Sequence, residues 1–147
     1  LKVRIPAGID DGKSIRLRGK GRPGSGGGEP GDLMLKVRVG AKAGFERKGM
    51  DVYTTVQIPF TTAVFGGEAV VPTLYGNVIC KIREGTQSGS KIRLRGKGIV
   101  SMKDSSVHGD QYVTVAIQVP QNLSPEAKRK LREYEAVTGQ NRRRYSA

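Results

Sequence analysis

The sequence predicts an all-β protein with a short C-terminal helix, built from two tandem β-sandwich-like domains related by internal duplication. Three observations lead to this prediction. Apolar and polar residues alternate with period two over several short stretches, a pattern typical of half-buried strands. The heptapeptide IRLRGKG occurs twice, at residues 15–21 and 92–98. The one convincing helical pattern lies near the C-terminus, at residues 125–137.

The first copy of the repeat contains three alternating stretches. They lie at residues 3–5, 15–17 and 33–39. Glycines at both ends of residues 8–12 favour a hairpin-like corner, because glycine adopts positive φ without a steric penalty. We expect residues 33–39 to form a strand with one apolar and one basic face, since successive side chains of a strand point to opposite sides.

Further strand patterns lie between the two heptapeptides. Alternation predicts strands over residues 51–59, 69–74 and 77–82, with a tight turn between the last two. Residues 60–66 are expected to form a short helical turn. The second copy of the repeat then predicts the same kind of β-unit as the first.

The C-terminal helix is predicted from its capping residues. Ser124 is a good N-cap, Pro125 fits the first helical position, and Gly139 can end the helix. Residues 142–144 are all arginine and form a basic tail. We therefore divide the chain into a first β-domain, a second β-domain and a helical C-terminal segment, at residues 1–47, 48–121 and 122–147.

Composition limits the classes of protein that the chain can represent. Hydrophobic residues make up 36% of its 147 residues, and no apolar run approaches the roughly 20 residues that cross a bilayer. One cysteine, Cys80, and one histidine, His108, exclude a disulfide framework and a Cys/His zinc cluster within this sequence. A single cysteine fits a reducing compartment, so we expect a cytoplasmic protein. The start at Leu1, without methionine, indicates a fragment of a longer protein.

No pattern of residues points to catalysis. A nucleophile-base set would have to use His108, which lies in a predicted loop at residues 101–109 and is expected to be a solvated side chain. Cys80 lies in an alternating strand, where a small core residue is expected rather than a nucleophile. We therefore expect no enzymatic activity.

The basic excess is the strongest compositional signal. Lys and Arg number 26 against 13 Asp and Glu, a net charge of +13, with clusters at residues 16–20, 128–130 and 142–144 that could neutralise phosphates. Only 5% of the residues are aromatic and none is tryptophan, so no platform for base stacking is expected. Charge alone leaves nucleic-acid binding open as an alternative function.

The ordered motifs of the chain resemble the C-terminal client-binding region of DnaJ-family co-chaperones. The resemblance runs through residues 1–137. Its motifs are VRIPAG at 3–8, GDL at 31–33, FERKGMDVY at 45–53, FGGE at 65–68, VPTL at 71–74, EGTQSG at 84–89, LRGKG at 94–98, GDQY at 109–112 and PQNLS at 120–124. Two departures are Ala43-Gly44, where the family usually has His-Pro, and Arg83, where it usually has proline.

This resemblance implies a protein that handles unfolded chains. The expected activities are binding exposed apolar segments of non-native polypeptides and delivering them to a DnaK-type chaperone. The resemblance also implies two tandem β-sandwich-like domains and a helical dimerisation element, hence a homodimer. The family's J-domain and Cys-x-x-Cys zinc motifs do not occur in this sequence. We therefore expect no cofactor in this chain and leave the zinc content of a longer parent open.

The resemblance also implies particular site residues. Leu35 matches a position that lines the family's peptide groove, with Val3 on the neighbouring strand and Val37 on the same strand as further substrate-binding candidates. Alternation alone instead assigns this apolar face to a sandwich core, and both interpretations stay open. On the helix, Leu131 and Tyr134 share one face and are dimerisation candidates. A purely structural dimer module is the third possible function.

Overall fold

The computed structural model describes residues 2–139 and contains three β-sheets in this part of the chain, with the predicted basic tail lying outside it. The strands are β1 (Ser14–Leu17), β2 (Leu33–Lys36), β3 (Glu46–Lys48), β4 (Asp51–Pro59), β5 (Gly67–Thr73), β6 (Gly76–Ile82), β7 (Lys91–Leu94) and β8 (Gln111–Gln118). The helices are α1 (Phe60–Phe65) and α2 (Pro125–Thr138). The predicted β class with a C-terminal helix is confirmed.

Strands β1 and β2 form a two-stranded antiparallel sheet, in which Leu35 lies opposite Ile15. The predicted strand over residues 33–39 is shorter than expected, because β2 ends at Lys36. The hydrogen-bond ladder nevertheless continues by one residue, since the Val37 N–H donates to the Lys13 carbonyl at 2.7 Å.

The strand predicted over residues 3–5 is wrong, because residues 2–6 form no strand. Val3 therefore does not lie on a strand beside β2. The matching residues of the second copy, 80–82, belong to β6 and are held there by pairing with β5. A strand needs such a partner to bond its backbone groups, and the described part of the chain gives residues 3–5 none.

The other two sheets pack face to face around the buried core. One has the strand order β3-β4-β8-β7, and the other is the β5-β6 hairpin. Their buried side chains form two clusters, which are Ile58, Ala63, Ile82 and Val115, and Val71, Cys80 and Val113. Full burial of one large aliphatic side chain contributes about 1.5–3 kcal/mol. This sandwich-like core is therefore the main source of stability among the described residues.

Each heptapeptide repeat closes its turn with the same pair of hydrogen bonds. An arginine and a glycine of the repeat both donate to one aspartate ahead of the partner strand. The residues are Arg16, Gly19 and Asp32 in the first copy, and Arg93, Gly96 and Asp110 in the second. The Nε–Oδ2 distances are 2.6 and 2.8 Å, and the N–Oδ1 distances are 3.0 and 2.9 Å. The repeated sequence thus makes a repeated local structure, while duplication of whole domains stays a prediction.

Asp110 connects three strands of the larger sheet. Its carboxylate accepts from Arg93, which is on β7, and from the Gly96 N–H beyond the end of β7. Its own N–H donates to Asp51 Oδ1 at 2.8 Å, and its carbonyl accepts from the Val52 N–H at 2.9 Å, both on β4. The hydrogen bonds from Gly96 and Arg93 lower the pKa of the Asp110 carboxyl group.

Arg47 ties the N-terminal corner to the larger sheet. Its half-buried guanidinium donates to the carbonyls of Gly8 at 2.7 Å, Ile9 at 3.0 Å and Gly49 at 2.8 Å. Gly8 also packs against Val100, where a Cβ atom would collide with the carbonyl oxygen. The predicted boundary between the first and the second β-domain, after residue 47, falls within β3. This boundary stays a prediction.

The chain divides into two compact units, Leu1–Ile117 and Gln118–Ala147, and α2 belongs to the second. Ser124 Oγ accepts from the Ala127 N–H at 3.1 Å, as expected for an N-cap. Gly139 follows the helix in the left-handed conformation, at φ +71°. Both predicted caps are confirmed.

Gly8→Ala is expected to destabilise the protein more than Gly85→Ala, its counterpart in the second copy. The two glycines have φ angles of +87° and +81°, so alanine strains the backbone by about 1–2 kcal/mol at either site. Only at Gly8 would the new Cβ collide with another residue, Val100. Urea unfolding measures both free energies, and equal losses would contradict the close packing of this corner.

Acid is expected to weaken the larger sheet through Asp110. A carboxyl group with a lowered pKa in the folded state stabilises that state above about pH 4, and the stabilisation is lost as pH falls through the folded pKa. Asp110→Asn should unfold at a lower urea concentration at pH 7 and lose less stability than the parent between pH 7 and 3. Glu29→Gln, which removes an exposed carboxylate that forms no bond to the described residues, is the control for the loss of one negative charge. Parallel profiles for the parent and Asp110→Asn would refute the role of this group.

Candidate functional site

The apolar face of the β1–β2 sheet is only half-buried. Its strand residues are Ile15, Leu17, Leu33 and Leu35. Among the described residues, neither of the two buried clusters includes any of them. Contiguous accessible apolar side chains mark a surface that binds or packs against something else.

The opposite face of the same sheet is polar and basic. Met34 and Lys36 are exposed there, and Arg16 forms an ion pair with Asp32. The expected strand with one apolar and one basic side is therefore present in β2. An extended ligand lying beside β2 would meet a different chemistry on each of its two sides.

The structure brings two of the three predicted substrate-binding residues to one face. Leu35 and Val37 alternate along the same side of the ribbon, and both are half-buried. Val3 is also half-buried but lies in the irregular segment at residues 2–6. The candidate site therefore consists of Leu35 and Val37 on β2 and its extension, with Val3 outside the sheet.

The second copy shows what a covering layer does to these positions. Val113 and Val115, which match Leu35 and Val37, are 0% and 1% exposed in the sandwich core. They are buried because the β5-β6 hairpin packs on their face of the sheet. The same alternation thus gives a buried core in the second copy of the repeat and an accessible surface in the first.

His108 is held more firmly than the sequence suggested. The residue is half-buried, and its backbone forms an isolated antiparallel β-bridge with Val100. Its ring packs edge-on against the ring of Tyr75, with 5.4 Å between the two ring centroids. The expectation of a solvated loop side chain is wrong, because Ser101 and Val107 close the loop with a backbone hydrogen bond of 2.8 Å. The Tyr75 hydroxyl already donates to a backbone carbonyl. This arrangement is typical of packing rather than of catalysis.

Cys80 lies in the core, as predicted. It packs with Val71 and Val113 between the two sheets. Burial raises the pKa of its thiol, because the thiolate loses solvation. The thiolate is the nucleophilic form, so this cysteine is chemically quiet at neutral pH.

A pair of tyrosines on the larger sheet was missed by sequence reasoning. Tyr53 of β4 and Tyr112 of β8 stack with their ring centroids 5.2 Å apart. A count of aromatic residues could not find them, because they are distant in sequence and meet only when β4 and β8 are neighbours. The sequence does contain one signal for this pair, because both tyrosines occupy positions on the polar side of an alternating strand.

Helix α2 presents the predicted dimerisation residues. Leu131 is 37% exposed and Tyr134 is 47% exposed. They line a shallow groove on the helix together with charged side chains, which are Lys128, Arg132 and Glu135. Both apolar side chains are accessible in the single chain.

Residues 2–139 hold neither a metal cluster nor a membrane-spanning helix. No group of three or more His, Cys, Asp or Glu side chains there could hold a metal ion. No helix within this part of the chain is long and apolar enough to span a membrane.

Comparison with known sequences places the chain in a family. The DnaJ C terminal domain matches residues 1–120. The chain belongs to the DnaJ family. The match covers all eight strands, including β2 with Leu35, and both copies of the repeated heptapeptide.

Three relatives share the name "Chaperone protein DnaJ". The protein from Lachnospira eligens is 43% identical over 143 residues, which are 97% of this chain and 38% of the relative. The relative from Exiguobacterium is 48% identical over 141 residues, 96% of this chain and 38% of its own. The relative from Burkholderia pseudomallei is 46% identical over 146 residues, which are 99% of this chain and 39% of the relative. The chain thus spans about two fifths of the length of these relatives.

Proposed function

We propose that this chain binds exposed apolar segments of non-native polypeptides and presents them to a DnaK-type chaperone. Membership of the DnaJ family supports a chaperone role. The observation that carries the proposal is the half-buried apolar face of the β1–β2 sheet. We further propose that the chain acts in the cytoplasm, catalyses no reaction and uses no cofactor of its own.

An extended client can bind this surface as an added strand. β2 pairs with β1 on one side, and the described residues place no strand on its other side. Backbone hydrogen bonds to a free strand edge hold any extended peptide, while alternate side chains of that peptide rest on the apolar face. Because these backbone hydrogen bonds do not depend on the side chains of the client, we expect broad client specificity. Leu35 and Val37 would contact the client directly, while Val3 would act from outside the sheet.

The competing interpretation is that this face is a packing surface. The burial of Val113 and Val115 supports that interpretation for Leu35 and Val37, because the two pairs occupy matching positions. The two interpretations differ in what removal of Leu35 would cost. Loss of a groove residue reduces affinity, whereas loss of a core residue reduces the free energy of unfolding.

We also propose that α2 joins two copies of the chain through Leu131 and Tyr134. An interface built from two large side chains on each helix contributes only a few kcal/mol at ~25 cal/mol per Å². Such an interface supports a weak dimer more readily than an obligate one. A module that dimerises and binds no client would be purely structural.

Leu35→Ala is expected to weaken client binding by about 1–2 kcal/mol, because less apolar surface is buried in the complex. The melting temperature should hardly change. Fluorescence anisotropy with a labelled, chemically reduced unfolded protein measures affinity, and calorimetry measures stability. Ile79→Ala, which removes an exposed aliphatic side chain from β6, outside the β1–β2 sheet, is the matched control and should bind like the parent. A stability loss of about 2–5 kcal/mol, with unchanged affinity of the folded fraction, would remove Leu35 from the site.

Leu131→Asp is expected to weaken self-association about ten- to hundredfold, because the two Leu131 side chains of a dimer, each 37% exposed before association, together lose about 1.5–3 kcal/mol of apolar burial. Sedimentation equilibrium over a range of protein concentrations gives the association constant. Val119→Asp introduces the same charge at a position that is also exposed but lies outside α2, and it should not affect association. An identical monomer mass for the parent and Leu131→Asp at high concentration would argue against the dimer.

A further inference from the structure

The outer edge of β2 has backbone groups that point away from β1. The Val37 N–H donates to the Lys13 carbonyl at 2.7 Å, and the Val37 carbonyl accepts from the Gly12 N–H at 2.8 Å. Alternate residues of an antiparallel strand bond to the same neighbour, so the N–H and carbonyl groups of Lys36 and Arg38 point to the other side. No strand of the described residues pairs with that edge. A client segment can therefore form backbone hydrogen bonds with Lys36 and Arg38.

The side chains of the same two residues are cations without a carboxylate partner. Lys36 and Arg38 are exposed and form no ion pair with the described residues. Of the nearby carboxylates, Asp32 already binds an arginine of the heptapeptide, and Asp11 accepts from a backbone N–H at 2.9 Å. Residues 1–44 contain ten Lys and Arg against four Asp and Glu. The basic face of the β1–β2 sheet therefore keeps a net positive charge.

The second copy of the repeat carries no charge at the two matching positions. Thr114 matches Lys36, because each lies opposite the first residue of the heptapeptide strand, β7 or β1. Two residues further on, Ala116 matches Arg38. On β8 the corresponding edge is occupied by β4. The two cations thus occur where the edge is open and are replaced by uncharged residues where the protein fills the edge with its own strand.

We propose that, within a broad specificity, the client site prefers segments in which apolar residues alternate with acidic ones. This inference rests on the proposed client site and specifies the class of segment that fits it. A client strand beside β2 turns every second side chain toward the apolar face, next to Leu35 and Val37. Its other side chains lie beside Lys36 and Arg38. Opposite charges on directly facing residues of two strands stabilise the pairing, and like charges destabilise it.

Two simpler roles of these charges make different predictions. Charged side chains on an open strand edge discourage edge-to-edge pairing between copies of a protein, and that role requires no preference among clients. The net charge of +13 attracts any acidic peptide from a distance, whatever the order of its residues. Only a cationic face opposite an apolar face requires the client to alternate. The order of residues in a peptide therefore separates the three roles.

The test measures fluorescence anisotropy of labelled ten-residue peptides with the full chain, in salt of about 0.15 M, which screens charges more than about 8 Å apart. Three peptides alternate leucine with glutamate, glutamine or lysine. A fourth has five leucines followed by five glutamates. The alternating glutamate peptide should bind about two- to thirtyfold more tightly than the glutamine peptide, because two cross-strand ion pairs form. The lysine peptide should bind most weakly of the alternating three, and the block peptide should lose the advantage of its glutamates.

Variants of the two cations show whether they cause the preference. Lys36→Gln combined with Arg38→Gln should bind the glutamate and glutamine peptides equally well. Lys91→Gln combined with Lys103→Gln removes the same charge from exposed side chains of the second copy and should keep the preference. Lys36→Glu combined with Arg38→Glu should reverse it, so that the lysine peptide binds more tightly than the glutamate peptide. Thermal melts of every variant separate loss of binding from loss of fold.

Three results would overturn this preference and leave the client site in place. The first is equal affinity of the parent for the glutamate and glutamine peptides. The second is equal affinity for the alternating and block glutamate peptides, which would mean that only overall charge attracts them. The third is an unchanged preference in the variant with glutamine at positions 36 and 38, which would limit the two cations to protection of the edge. If the glutamine peptide does not bind at all, the proposed client site fails, and the preference fails with it.

Discussion

The Asp110 carboxylate and backbone fix the arrangement on which the larger sheet depends. One residue binds Arg93 and Gly96 through its side chain and joins Asp51 and Val52 through its main chain. These bonds set β7, β8 and β4 side by side at one end. With side chains alternating from that point along β8, Val113 must enter the core while Tyr112 must face outward. A slip of one residue would exchange the two, so this carboxylate controls both the core and the outer surface.

A second constraint operates at the N-terminal corner, where Arg47 binds three carbonyl groups. A guanidinium group can serve this role because it presents several donors in a fixed plane and has no acceptor of its own. Backbone carbonyl groups that lose contact with water on folding gain a charged donor in the Arg47 guanidinium. A charged donor makes stronger hydrogen bonds than a neutral one. The close approach of Gly8 to Val100 completes the joint. The small sheet with the candidate client site is thereby attached to the sandwich that supplies most of the core.

The two copies of the repeat show how burial converts one pattern into two roles. Leu35 and Val113 occupy matching places after matching Arg–Asp bonds, yet only Val113 is covered by a second sheet. An apolar side chain contributes to stability when another layer removes it from water, and to binding when a ligand does so. The physical interaction is the same in both cases. The two copies differ in whether the covering group belongs to the protein. For this reason, the accessible face of β2 is the feature to consider together with membership of the DnaJ family.

The sequence by itself determined the local elements whose causes lie within a few residues. Ser124 and Gly139 predicted the ends of α2 because capping depends on neighbouring backbone groups, and alternation predicted β4 because a strand of nine residues repeats its pattern several times. The motifs also identified the family. Only the tertiary structure decided that residues 3–5 form no strand, since strand formation requires a partner elsewhere in the chain. It likewise decided that His108 is packed and that Tyr53 meets Tyr112. Contacts between distant residues depend on which strands become neighbours, and no local pattern in the sequence encodes that choice.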